Sequence, residues 1–200
     1  MTTFAAMLAE QRWDDHRFYH HSLVNQSLHM LSACIFLCAY VVALWDPALA
    51  AVLGWIVAMC SRQIGHFFFE PRGYDQINQA THAHKEAIKV GYNLARKWVL
   101  MTAWVLSPLL LLVQPTLFGV LTEPHTVLDF VRNVGWLWLG VGATGLVART
   151  LQLFVIRDVQ TGVVWFTKII TEPFSDIRLY HKAPLRLLRG ERFEPRVAAH

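Results

Sequence analysis

MLSACIFLCAYVVALWDPALAAVLGWIVAMCSRQIGHFFFE, residues 30–70, holds two apolar runs separated only by Asp46-Pro47. A helix needs roughly 20 apolar residues to cross the hydrocarbon core of a bilayer, fewer where its ends are buried or its flanks snorkel. The first run, Met30 to Trp45, is short, and the second, Ala48 to Phe69, meets that length. The turn between them is too tight for anything but an antiparallel hairpin. Two further segments follow, one from Trp98 past Pro108 towards Val113 or Leu121 and one from Val134 to Ile156. The expected fold class is all-α, an integral membrane bundle of about four transmembrane helices.

Composition points the same way. The 200 residues are 54% hydrophobic and only 16% charged, with a mean hydropathy of +0.34, values wrong for a soluble domain. The first 29 residues carry Glu10, Arg12, Asp14, Asp15 and Arg17 with no continuous apolar stretch. No cleavable secretory signal is expected, and the first apolar segment stays as a membrane helix. The net charge of +4 lies beside hydrophobic segments, which makes membrane lipid headgroups the expected partner and not nucleic acid. Cys34, Cys38 and Cys60 have neither zinc-ribbon nor disulfide-framework spacing and read as reduced packing residues. Most of the eight Trp are expected to be interfacial anchors or lipid contacts.

The chain divides into an amino-terminal arm (1–29), a membrane domain (30–156) and a tail (157–200). The membrane domain has helices at about 30–45, 48–69, 98–121 and 134–156, with a loop at 70–97. Arg12 and Arg17 lie in the arm, Arg72, Lys85, Lys89, Arg96 and Lys97 in the loop, and eight more Lys and Arg in the tail. The opposite face has only Arg132. Positive charge is retained on the cytoplasmic side, so both termini and the loop are expected in the cytosol, at a bacterial inner membrane or an endoplasmic reticulum. Val163, Val164, Trp165, Phe166, Ile169 and Ile170 beside Lys168 suggest a tail helix lying in the interface, or one packed under the bundle as support.

The histidines carry the chemistry. His16, His20, His21 and His29 precede or open the first helix, His66 lies in the last turn of the second, and His82 and His84 lie in the loop. The hairpin brings these seven to one cytosolic face, and His181 of the tail is able to join them. Residues four apart on a helix share a face, so His21, Asn25 and His29 form one polar stripe and Arg62, His66 and Glu70 another. Polar groups at membrane depth cost up to about 2.5 to 3.5 kcal/mol and usually have a partner or a task. His66 and Glu70 can pair with each other or with Arg62; as a cluster, the groups can ligate a metal from two sides. Imidazole with carboxylate suits iron, zinc, copper or nickel. Open positions on such a site describe non-haem iron(II) that activates dioxygen, and zinc hydrolysis stays open. The chain has no GxSxG elbow, HExxH, phosphate-binding glycine loop or Rossmann fingerprint.

RFYHHSLVNQSLH at 17–29, followed by RQIGHFFFE at 62–70, resembles the 2-hydroxy fatty acid dioxygenases of the Mpo type. Those show YHH, then Asn, then His at this spacing, and later Q-x-x-GH-x-x-x-E. LSPLLLLVQ at 106–114 looks like a third, weaker piece. The resemblance implies a small multispanning membrane protein with Fe(II) that cleaves a 2-hydroxy fatty acid with dioxygen to the acid one carbon shorter. It also implies His20, His21, His29 and His66 as metal-site residues, with Asn25 and Glu70 in support. After Glu70 the chain departs from the pattern, with a longer loop carrying THAHKE at 81–86. His82 and His84 then join the candidate ligands. Arg62 or Arg149 is placed to meet a substrate carboxylate, and Arg149 is equally able to snorkel. Three other readings stay open: a two-iron lipid hydroxylase or desaturase, a haem carrier using His29 and His66, and a transport or structural membrane protein.

Overall fold

The computed structural model describes residues 2–70, 72–76 and 78–194, so the first residue, two loop positions and the tail's residues 195–200 lie outside the described residues. Among these the protein is all-helical, with four helices long and apolar enough to cross a membrane. α1 (Phe4–Tyr19) is polar and precedes the first span, α2 (Leu23–Val42). α3 (Pro47–Leu53), a π-helical turn (Gly54–Met59) and α4 (Cys60–Phe68) run on as the second span. After the short α5 (His82–Ile88), the last two spans are α6 (Leu94–Val113) and α7 (Val127–Ile156). α8 (Val159–Tyr180) and the short α9 (Ala183–Leu188) return the chain to α2.

The burial pattern is the inverse of a water-soluble bundle. Large side chains such as Leu44, Ile56, Leu109, Leu112, Val147 and Val155 point outward, whereas the interior holds Ala33, Ala48, Ala58, Asn25, His29 and Ser32. Lipid tails are as apolar as leucine, so helices in a bilayer associate through close packing and internal polar contacts. Gly135 of α7 sits so tightly on α3 that a Cβ there would collide with the Ala48 carbonyl oxygen.

The helix ends differ from hydropathy alone, for local reasons. α2 begins at Leu23, seven residues before the apolar run, because Asn25 and Gln26 find partners inside the protein. α7 begins at Val127 because Thr126 and Asp129 form a reciprocal capping box. α6 stops at Val113, and turns with positive φ at Leu117 and Phe118 replace the expected continuation to Leu121. Pro108 inside α6 cannot bond the Trp104 carbonyl, and the Ser107 hydroxyl donates to it at 2.7 Å instead.

The expectation for the aromatics is revised, and one of the two readings of the tail is met. Trp55, Trp104 and Trp138 are not interfacial anchors; they pack in series inside the bundle, the first pair stacked at 5.0 Å and the second tilted at 48° and 5.2 Å, tying the π-helical turn to α6 and α7. Trp165 is buried as well. Of the two readings of the tail, packing is the observed one, since α8 lies against α1, α2 and α7. Gly135→Ala should therefore cost roughly 1–3 kcal/mol through overpacking, seen as a lower thermal midpoint in detergent. Gly140→Ala, whose Cβ would meet nothing within 4 Å, should not lower it; equal midpoints for the two variants would contradict the α3–α7 approach.

Candidate metal centre

The break between α1 and α2 builds the site. α1 ends at Tyr19 and α2 starts at Leu23, leaving carbonyls at the end of α1 without helical partners. Asn25 Nδ2 donates to the Tyr19 carbonyl at 3.1 Å, and Gln26 Nε2 to that of His20 at 2.7 Å. The chain is thereby bent so that His20 turns inward, 4% exposed, while His21 stays half-buried and faces Asp75 at 3.9 Å. His29, one turn after Asn25 on α2, and His66 in the last turn of α4 complete the group, 1% and 8% exposed.

One ring nitrogen from each of His20, His29 and His66 lies within 4.8 Å of those of the other two, an arrangement that can hold a metal ion. Ring centroids are 4.2 Å apart for His20 and His29, 5.0 Å for His29 and His66, and 5.4 Å for His20 and His66. α4 comes this close because Gly65 has no side chain. A Cβ there would strike Asn25 Oδ1 and touch the His29 ring at 3.5 Å.

Each imidazole is held from outside by an oxygen at Nδ1. The Tyr180 hydroxyl lies 2.8 Å from His20, Asp176 Oδ2 lies 3.4 Å from His29, and Glu70 Oε2 lies 2.8 Å from His66. Such partners fix the tautomer and aim of a ligating ring. With Nδ1 engaged outward, Nε2 is the atom each ring can offer. On His20 and His29 that atom is buried with no hydrogen-bond partner. Burial, reinforced by His29, holds the His20 imidazole well below its ordinary pKa, in the neutral form that ligates. Burial and the nearby Asp176 push the Tyr180 hydroxyl well above its ordinary range, so it stays protonated.

A shell of buried ion pairs surrounds the histidines. Arg62 pairs with Asp176 and, at 2.7 Å, with Glu172. Lys168 pairs with Asp15, and Lys89 reaches Glu70 at 3.7 Å and Glu86 at 3.8 Å. Burial pushes the Glu70 carboxyl up while Lys89 and Lys97 draw it down. The loop after Glu70 folds back over α1: the Tyr19 hydroxyl donates to the Lys85 carbonyl at 2.7 Å, and the Lys89 ammonium sits 3.5 Å above the Tyr19 ring.

Of the six histidines singled out from sequence, the structure brings together His20, His29 and His66. His21 lies outside because it falls in the break before α2 begins at Leu23 and so does not share the α2 stripe. His82 is half-buried and His84 exposed on α5, and neither belongs to the group. Glu70 lies beside His66, while Asn25 acts as a brace between α1 and α2. Arg62 meets Glu172 and Asp176 where a substrate carboxylate was expected. Arg149 is buried and donates to the Val90 carbonyl at 2.6 Å and to Gln152 Oε1 at 2.6 Å. Sequence reasoning missed Tyr180 and Asp176. Their signal was present as Lys168, Glu172, Asp176 and Tyr180, four polar residues at successive i, i+4 positions of α8.

No family model, curated protein or solved structure matches this chain. The site therefore stands on its own geometry. His20→Ala, His29→Ala and His66→Ala should each lose bound metal, measured as metal atoms per chain, while His21→Ala, His82→Ala and His84→Ala should keep it. Asp176→Asn should weaken metal binding roughly 10- to 100-fold. Full metal retention in His29→Ala would eliminate the three-histidine centre.

Proposed function

We propose that this membrane protein is an iron(II)-dependent oxygenase acting on a fatty acyl substrate, by oxidative cleavage of a 2-hydroxy fatty acid with dioxygen to the acid one carbon shorter. The observation that carries the reading is the set of three buried imidazoles, each oriented at Nδ1 by an outer oxygen and each able to offer Nε2. Three protein ligands leave coordination positions free for dioxygen and a chelating substrate. The choice of iron and of a 2-hydroxy acid rests on the resemblance of residues 17–29 and 62–70 to the Mpo-type dioxygenases.

His20, His29 and His66 would hold the metal, which when bound supplies the activation of dioxygen. The chain's own part is orientation and exclusion of water. Tyr180, Asp176 and Glu70 fix the three rings, and Arg62 holds Asp176 in place from the opposite side. The loop over α1 and the paired charges of α8 wall the imidazoles off from bulk water. Desolvation of this kind strengthens every electrostatic contact with a bound anion.

The three-imidazole set also favours a second reading, a zinc centre that makes bound water nucleophilic. Haem fits poorly, because the 5.0 Å between the His29 and His66 ring centroids leaves no room for a porphyrin between them. Protein purified anaerobically in detergent should contain about one iron per chain without matching haem. It should convert 2-hydroxypalmitate to the acid one carbon shorter. Zinc in place of iron would support hydrolysis, and no metal after reconstitution with iron(II) would sink both readings.

The distribution of Lys and Arg supports placing both termini and the 70–97 loop in the cytosol. A cysteine introduced at Arg72 should react with impermeant thiol reagents only after the membrane is permeabilised. Labelling of intact cells at that position would reverse the orientation.

A further inference from the structure

Four cations act electrostatically on His29: Arg62, Lys97, Lys89 and Lys168. Three of them have carboxylates of their own. Arg62 pairs with Glu172 and Asp176, Lys89 with Glu70 and Glu86, and Lys168 with Asp15. The Lys97 side chain makes neither an ion pair nor a hydrogen bond with any other described residue, and the residue is only half-buried. An ammonium in this position, inside a membrane-length helix, has lost part of its hydration without a described carboxylate at ion-pair distance, which is costly.

Packing fixes where that charge stands. Lys97 is in the first turn of α6, and the next residue, Trp98, stacks on Phe67 with ring centroids 4.5 Å apart and planes at 26°. Phe67 directly follows His66 on α4. The stack clamps the first turn of α6 to the last turn of α4, holding Lys97 beside the histidine group, where it also acts on His66 and Glu70. The two arginines expected to meet a substrate carboxylate are both engaged, Arg62 by acids and Arg149 by main-chain carbonyls.

We propose that Lys97 is the anchor for an anionic head group on the substrate, a carboxylate carried by a long apolar chain, and that it sets the preference for charged over uncharged lipids. The proposal rests on the oxygenase reading for its substrate class, but the charge assignment stands on the ion-pair census. An apolar chain has a surface to follow. Leu100, one turn further along α6, lines a groove of about 920 Å³ with Leu117, Leu121, Trp136 and Leu137, within the size range of small-molecule sites.

The test is equilibrium binding of palmitate and of methyl palmitate to the full-length protein in detergent, with and without iron(II). Wild type should prefer the acid by roughly tenfold or more, the scale of one charge-assisted hydrogen bond, and should do so without metal. Lys97→Met should abolish the preference, and Lys97→Arg should retain most of it. Lys97→Gln replaces the Met variant if that one does not fold. A preference unchanged in Lys97→Met, or no preference in wild type, overturns the assignment. Iron content of the same wild-type samples reports separately on the oxygenase reading, because a metal-free protein that still prefers the acid through Lys97 keeps this inference while losing that one.

Discussion

The contact on which the rest of the site depends is the buried pairing of Arg62 with Asp176 and Glu172. It joins the second span to a helix more than a hundred residues later in the chain, and it does so where water is scarce. Removing one partner of such a pair costs about 3–5 kcal/mol, because the other charge is left desolvated and alone. Asp176 is shared between Arg62 and His29, so the ion pair also sets the aim of a histidine ring. Release of Arg62 would remove the tie between α4 and α8 at Asp176, one turn before Tyr180, the partner of His20.

This arrangement explains why the interior is polar where the exterior is apolar. A soluble protein buries its leucines and gains from the hydrophobic effect; helices already in lipid have no such gain to make. Here alanine and glycine let α2, α3, α4 and α7 approach closely, and several of the polar groups they enclose bond one another. Asn25 and Gln26 receive the end of α1, Ser107 takes the carbonyl that Pro108 leaves open, and Trp55 Nε1 donates to the Trp138 carbonyl at 2.9 Å. The π-helical turn at Gly54–Met59 belongs to the same pattern. It changes the register of the second span just before Ser61, Arg62, Gly65 and His66 turn inward.

The four spans were legible in the sequence because hydropathy reports what faces lipid, and most of α6 and α7 does. The ends of the spans were not legible, because they depend on whether polar residues find partners, as Asn25 does at one end of α2 and Thr126 does at the start of α7. The convergence of His29 and His66 followed from the hairpin and the period of a helix. The choice of His20 over His21 did not, since both lie in the three-residue break between α1 and α2 and differ only in which way the bent chain turns each side chain. The outer partners on α8 were hidden by distance along the chain. Their i, i+4 spacing was readable as a polar stripe, but nothing local says what that stripe will meet.

The arrangement of charges then separates holding from reacting. A centre that must keep three neutral imidazoles in place needs fixed acceptors at Nδ1, and a fixed acceptor inside a bundle needs its own counterion. Asp176 has Arg62, Glu70 has Lys89, and Tyr180, being uncharged, needs none. Each oxygen that orients a ring is thus either uncharged or within ion-pair reach of a cation, with Arg62 and Lys89 each shared between two carboxylates. The polar stripe of α8 is therefore a condition for the histidines to act as a group, and the tail that carries it belongs to the site as much as the spans do.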